Sequence, residues 1–123
     1  MICPYCGNNA VLVGGKSIYP HRSDLYRKWF YLCQPCDAYV GCHPNKAPLG
    51  RLANRQLRIA RMQAHGVFDP LWKEGQMTRT QAYKWLSEKM KIPVNETHIG
   101  LFDIGQCLQV EQIVKDENAR KRY

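Results

Sequence analysis

The sequence contains no run approaching the roughly 20 apolar residues that a membrane span requires. Its N-terminus has no apolar signal core, because Cys3 and Cys6 stand where one would begin. Both absences point to a cytoplasmic chain with no membrane partner. Internal repeats and low-complexity stretches are missing too, which excludes solenoid arrays and disordered tails as the main architecture. Acidic residues are scarce: 10 Asp and Glu stand against 18 Lys and Arg in 123 residues, a net charge of +8. An excess of that size suits an anionic partner. No paired-carboxylate or regularly spaced histidine motif links His21, His43, His65 and His98 with Asp24, Asp69 and Asp103. A hydrolytic centre therefore has little support in the sequence.

What the sequence does have is cysteine. Six in 123 residues is many for a reducing compartment unless most of them hold a metal. Four form two pairs, Cys3-Pro4-Tyr5-Cys6 and Cys33-Gln34-Pro35-Cys36, each with two intervening residues. That spacing lets a tight turn offer both sulfurs to one ion, and four soft thiolates complete the tetrahedron that zinc prefers. Gly7 suits the backbone such a turn needs. Disulfides would require export, and a C-x-x-C redox centre would require a βαβ context; neither is visible. Four cysteine ligands leave no open position, so the expected cofactor is one structural Zn2+. Cys42, His43 and Cys107 have no regular ligand spacing. They read as small buried thiols and a loop histidine. A second metal, or His43 replacing one cysteine ligand, is the alternative.

The fold expected is α+β: a four-cysteine zinc ribbon over residues 1–48, then three to four helices over 49–123. Ala10–Val13, Trp29–Leu32 and Ala38–Val40 are rich in the β-branched and aromatic residues strands favour, and Gly14-Gly15 marks a turn. Lys16 to Lys28 reads as a basic, aromatic loop between strands. Pro44, Pro48 and Gly50 punctuate the exit. The first long helix is expected from Leu49 to His65, capped by Gly66. Asp69-Pro70 fits an N-cap followed by proline at N1. Thr78 with Gln81, and Asp103 with Gln106, fit capping boxes opening helices to about Met90 and about Asn118. Phe68, Trp72, Tyr83, Trp85 and Phe102 are expected in the core, and the tail Arg120–Tyr123 is expected to fray.

Charge concentrates in one place. A zinc held by four thiolates contributes −2, so the loaded protein carries about +6. Between Leu49 and His65 stand Arg51, Arg55, Arg58 and Arg61 with no acid. On a helix they fall within an arc of roughly 120°, opposite Leu52, Leu57, Ala60 and Ala64. Arginine forks match phosphate, so the stripe reads as a candidate phosphate-backbone contact. A solvated face is the bland alternative. Arg22, Arg27 and Lys28 form a supporting group. On an extended strand Arg27, Trp29 and Tyr31 would share one face, suited to stacking bases or to packing on the first helix.

The two knuckles together with Ala38-Tyr39-Val40-Gly41-Cys42-His43 resemble a phage and prophage family of zinc-finger-containing domain proteins. The resemblance continues through Arg58–His65, Phe68-Asp69-Pro70-Leu71-Trp72, Ala82-Tyr83-Lys84-Trp85-Leu86 and His98-Ile99-Gly100. It implies a viral setting, in host cytoplasm, where small basic proteins act on nucleic acid or on host machinery. Three functions follow as expectations. The first is a non-enzymatic zinc protein that binds DNA or RNA through the arginine helix. The second is an effector that binds a host protein such as a polymerase, nuclease or defence component. The third is a metal-dependent nuclease.

Overall fold

The computed structural model describes residues 1–75 and 77–121. Of the basic tail, Arg122 and Tyr123 lie outside the described residues. The chain divides into two compact units, one over Met1–Arg55 and one from Gln56 onward. The architecture is α+β, as the sequence leads one to expect.

The first unit is built on an antiparallel meander: β1 (Val11–Gly14), β2 (Trp29–Cys33) and β3 (Ala38–Gly41), in that spatial order. Val13 pairs with Phe30, Tyr31 with Val40, and Cys33 with Ala38. Side chains alternate across the sheet, so this register separates two faces. Phe30 and Tyr39 lie on one face, where the Tyr19 ring meets both edge-on at 5.8 and 6.1 Å. Cys33 and Ala38 lie on the other and join Cys3, Ala10 and Leu52 in a small buried cluster, with Tyr31 and Val40 packed against it.

Gly14-Gly15 does not make a hairpin turn. Gly14 ends β1, and Gly15 opens a four-residue helix, α1 (Gly15–Ile18), followed by a 3-10 turn over Ser23–Leu25. Gly15 is required by proximity, since a Cβ there would sit 1.7 Å from the Leu25 carbonyl oxygen. Gly15→Ala is therefore expected to cost about 1–3 kcal/mol. A urea titration of the zinc-loaded protein, followed at the Trp29 indole resonance, checks this; an unchanged midpoint would refute it.

The first long helix, α2, runs Arg55–Phe68, so both expected ends move. Residues 49–54 instead lie along the open edge of β3. Leu49 N–H donates to Gly41 O, while Ala53 and Tyr39 exchange both backbone bonds at 3.0 and 3.1 Å. The reason is Leu52, which is fully buried and supplies the only large aliphatic side chain of the small cluster. The Tyr5 hydroxyl fixes the segment, donating to Leu52 O and accepting from Asn54 N–H, each at 3.2 Å. At the other end, α2 passes through Gly66 because Phe68 is fully buried. Burying that ring outweighs the roughly 1 kcal/mol that glycine costs inside a helix.

The second unit holds α2, α3 (Pro70–Lys73), α4 (Arg79–Met90) and α5 (Ile104–Lys121). Both capping boxes form. Thr78 Oγ1 accepts from Gln81 N–H at 3.1 Å and Gln81 Oε1 from Thr78 N–H at 2.9 Å. Asp103 and Gln106 repeat the exchange at 2.8 and 3.1 Å. Asp69 is not a cap. Its backbone is helical, and its carboxylate meets His65 Nδ1 at 3.1 Å. The core gathers Ala60, Ala64, Phe68, Leu71, Ala82, Tyr83, Leu86, Met90, Ile99, Phe102, Cys107, Val110 and Val114, with Trp72 and Trp85 packed against it. Among the described residues no helix is long and apolar enough to cross a membrane.

Candidate metal centre

The two cysteine pairs sit at turns that the sheet positions. An isolated bridge between Ile2 and Asn9 closes the first turn, within which Cys3 N–H donates to Asn8 O at 2.8 Å and Gly7 N–H to Cys3 O at 2.9 Å. Gly7 adopts the left-handed backbone, φ 79°, that the turn demands. The second turn is the connection from β2 to β3. Cys33 ends β2, Gln34 O accepts from Asp37 N–H at 3.1 Å, and Asp37 takes the left-handed position at φ 48°. Aspartate is among the few residues that tolerate this conformation.

These turns bring the sulfurs of Cys3, Cys6, Cys33 and Cys36 within 4.8 Å of one another, the only such cluster of candidate ligands among the described residues. Cys6 Sγ and Cys33 Sγ are 3.6 Å apart. A tetrahedron with Zn–S bonds of about 2.3 Å has edges of about 3.8 Å, whereas a disulfide requires about 2.05 Å. The spacing therefore fits a shared ion and not a covalent bridge.

The chemistry of the sulfurs agrees. Burial raises the Cys3 thiol, but N–H groups of Tyr5 and Cys6 and the neighbouring thiols outweigh it, leaving Cys3 at about 7. Cys36 is pushed up to about 12, first by the Cys6 thiol beside it and then by burial. One proton leaves easily and the last is held, because four negative charges cannot accumulate here without a cation. Zinc supplies that cation, and the closed set of four ligands makes its role structural. Cys3 and Cys33 are buried, Cys36 is half-buried and Cys6 is exposed.

Cys42 lies half-buried in the first unit and Cys107 in the core of the second; burial raises both thiols. His43 is exposed.

The basic residues do not form the expected single stripe. Arg51 is not on the helix: it lies in the extended segment beside β3 and is exposed. Arg55 is exposed at the start of α2, and Arg58 is half-buried. Arg61 turns inward, its Nε donating to Phe102 O at 3.1 Å. The shift follows from position, because Arg61 is four residues from buried Leu57 and borders the buried face. In the first unit Arg22 is forked onto Asp24 at 3.0 and 2.8 Å, while Arg27 and Lys28 are exposed. The anticipated Arg27-Trp29-Tyr31 face is also altered. Tyr31 packs inward, and Lys46 Nζ stands 4.7 Å over the exposed Trp29 ring.

A further cluster was not anticipated from the sequence. Arg79 lies over the rings of Trp72 and Tyr83, Lys73 lies over Trp72, and the His98 ring meets that of Tyr83 at 5.4 Å, tilted by 49°. Its local traces are the i,i+4 spacing of Arg79 and Tyr83 and the adjacency of Trp72 and Lys73; the rest is tertiary.

No curated protein and no solved structure matches the chain. A family of zinc-finger-containing domains does, over residues 1–117. With four clustered sulfurs at zinc spacing and a match across nearly the whole length, this chain belongs to that zinc-finger-containing domain family.

Proposed function

We propose that this is a non-enzymatic, phage-encoded zinc-finger protein that binds nucleic acid, with zinc fixing the scaffold and basic side chains making the contact. The observation carrying this reading is α2, which bears three arginines and no acidic side chain in 14 residues. Arg55, at its start, is exposed. Phosphate contacts release condensed counterions, so binding should weaken steeply with salt. With two to three contacts, affinity for DNA or RNA is expected to drop on the order of 7- to 40-fold between about 50 and 200 mM salt. Salt-independent binding, or none to any DNA or RNA, would refute the reading.

An effector that docks on a host protein is the second reading, and one feature favours it. Met62 is 66% exposed and Ile59 38% exposed on the helix that carries Arg55 and Arg58. A mixed apolar and basic face suits an acidic protein surface. A pull-down from nuclease-treated lysate separates the two: partners that persist without nucleic acid favour the effector.

A further inference from the structure

Arg79 is the first residue of α4, at the positive end of the helix dipole. The first turn of α4 has no acidic residue. The Arg79 guanidinium is 6.0 Å from the Trp72 ring centroid and 5.2 Å from that of Tyr83. Lys73 Nζ stands 5.5 Å from the same Trp72 ring. Neither cation forms an ion pair among the described residues. Asp69 is engaged by His65, and Glu74, next to Lys73 in sequence, pairs with neither cation. Two cations thus lie near one indole, one of them also interacting with the Tyr83 hydroxyl, and the Asp69 carboxylate, whose charge reaches Tyr83, is in ion-pair range of neither. An anion arriving there would meet two cations that already lie beside one ring, and hydrogen bonds to charged groups are the stronger kind.

The aromatic half of the cluster narrows the kind of anion. Tyr83 is buried and in ring contact with Phe68 at 4.7 Å and with His98 at 5.4 Å, each pair tilted by 49°, so the His98 ring is braced by a buried aromatic while its residue stays exposed. A braced, exposed ring beside phosphate-matching cations is the combination that grips a single strand, in which bases are free to stack. Paired bases in a duplex offer no such face, and an acidic peptide has no need of one.

We infer that Lys73, Arg79 and His98 form a contact site for single-stranded nucleic acid, in which Arg79 and Lys73 take neighbouring phosphates and a base stacks on His98. This rests on the nucleic-acid reading above and names a place and strand state for it.

The test is fluorescence anisotropy of labelled single-stranded DNA and RNA oligonucleotides with the zinc-loaded full chain. Arg79→Gln combined with Lys73→Ala is expected to weaken binding at least tenfold and to flatten the salt slope by about 1.4. His98→Ala is expected to weaken binding about 5- to 100-fold with the slope unchanged, because stacking is not ionic. Melting temperatures equal to that of the parent protein show that the variants are folded. If the parent protein binds no oligonucleotide, this inference and the nucleic-acid reading fall together. If it binds, and the double variant binds equally well while Arg55→Glu does not, this inference alone is overturned. Tighter, Arg79-dependent binding of polyglutamate than of any oligonucleotide would overturn it in favour of an acidic protein.

Discussion

Removing zinc with a chelator will unfold Met1–Arg55 and leave the helices folded. The buried cluster under the sheet consists of Cys3, Ala10, Cys33, Ala38 and Leu52. Two of these are metal ligands and two are alanines, so little apolar area remains once the ion is gone. A unit of this size cannot bury enough surface to offset chain entropy unaided. In zinc-finger peptides metal binding contributes about 10–16 kcal/mol, as much as the whole stability of a typical domain. The four crowded thiols become mutually unfavourable as they ionise, and their turns lose the ion that holds them together. Cys33→Ala should reproduce the effect, since it removes both a ligand and the end of β2 from the cluster. The helical core shares no residue with this cluster, so the amides of α4 and α5 are expected to keep their dispersion while those of β1–β3 collapse. Two-dimensional amide spectra before and after chelation decide it; strand resonances that survive would show that zinc does not hold this unit. Acid acts in the same direction: binding needs thiolates, protons compete for them, and zinc is released as pH falls.

How much of this was legible follows from how local each signal is. The metal centre was readable because two knuckles of four residues carry their own geometry; only their mutual approach is tertiary, and the chemistry of zinc demands it. The capping boxes at Thr78 and Asp103 were readable for the same reason, each being closed within four residues. The start of α2 was not. Residues 49–54 have helical periodicity, yet the sheet edge and the cluster beneath it compete for Leu52 and Ala53 and win. Gly66 carries the local signature of a helix end, and Phe68 two residues on overrules it. Asp69 before Pro70 has the sequence of a cap, but His65 one turn earlier takes its carboxylate. The arginine stripe was legible as composition and not as a surface. Arg51 left with the extended segment, and Arg61 found the Phe102 carbonyl 41 residues away. The Lys73-Arg79-His98 group could not be read as a group, since three separate segments bring it together and only two neighbouring pairs within it are local.

Phe68→Ala will cost about 3–5 kcal/mol, the second large effect expected. The side chain is fully buried and its ring lies 4.7 Å from that of Tyr83, so truncation leaves a cavity lined by groups that cannot all collapse into it. A second loss adds to the first. The last turn of α2 contains Gly66, which favours an end rather than a continuation, and Phe68 is the only fully buried side chain beyond it. Without the ring the helix should retract toward His65, loosening the His65–Asp69 contact and the start of α3. Phe68→Leu keeps most of the volume and should cost no more than about 1.5 kcal/mol, which separates the cavity from mere loss of aromaticity. Urea denaturation followed by far-ultraviolet circular dichroism measures both, with the Trp29 resonance as an internal control for the zinc unit. Since a domain of this kind has only about 5–15 kcal/mol to lose, Phe68→Ala leaves the helices marginal at room temperature. A loss below about 1 kcal/mol would mean that the ring does not anchor the core and that something else carries α2 through Gly66.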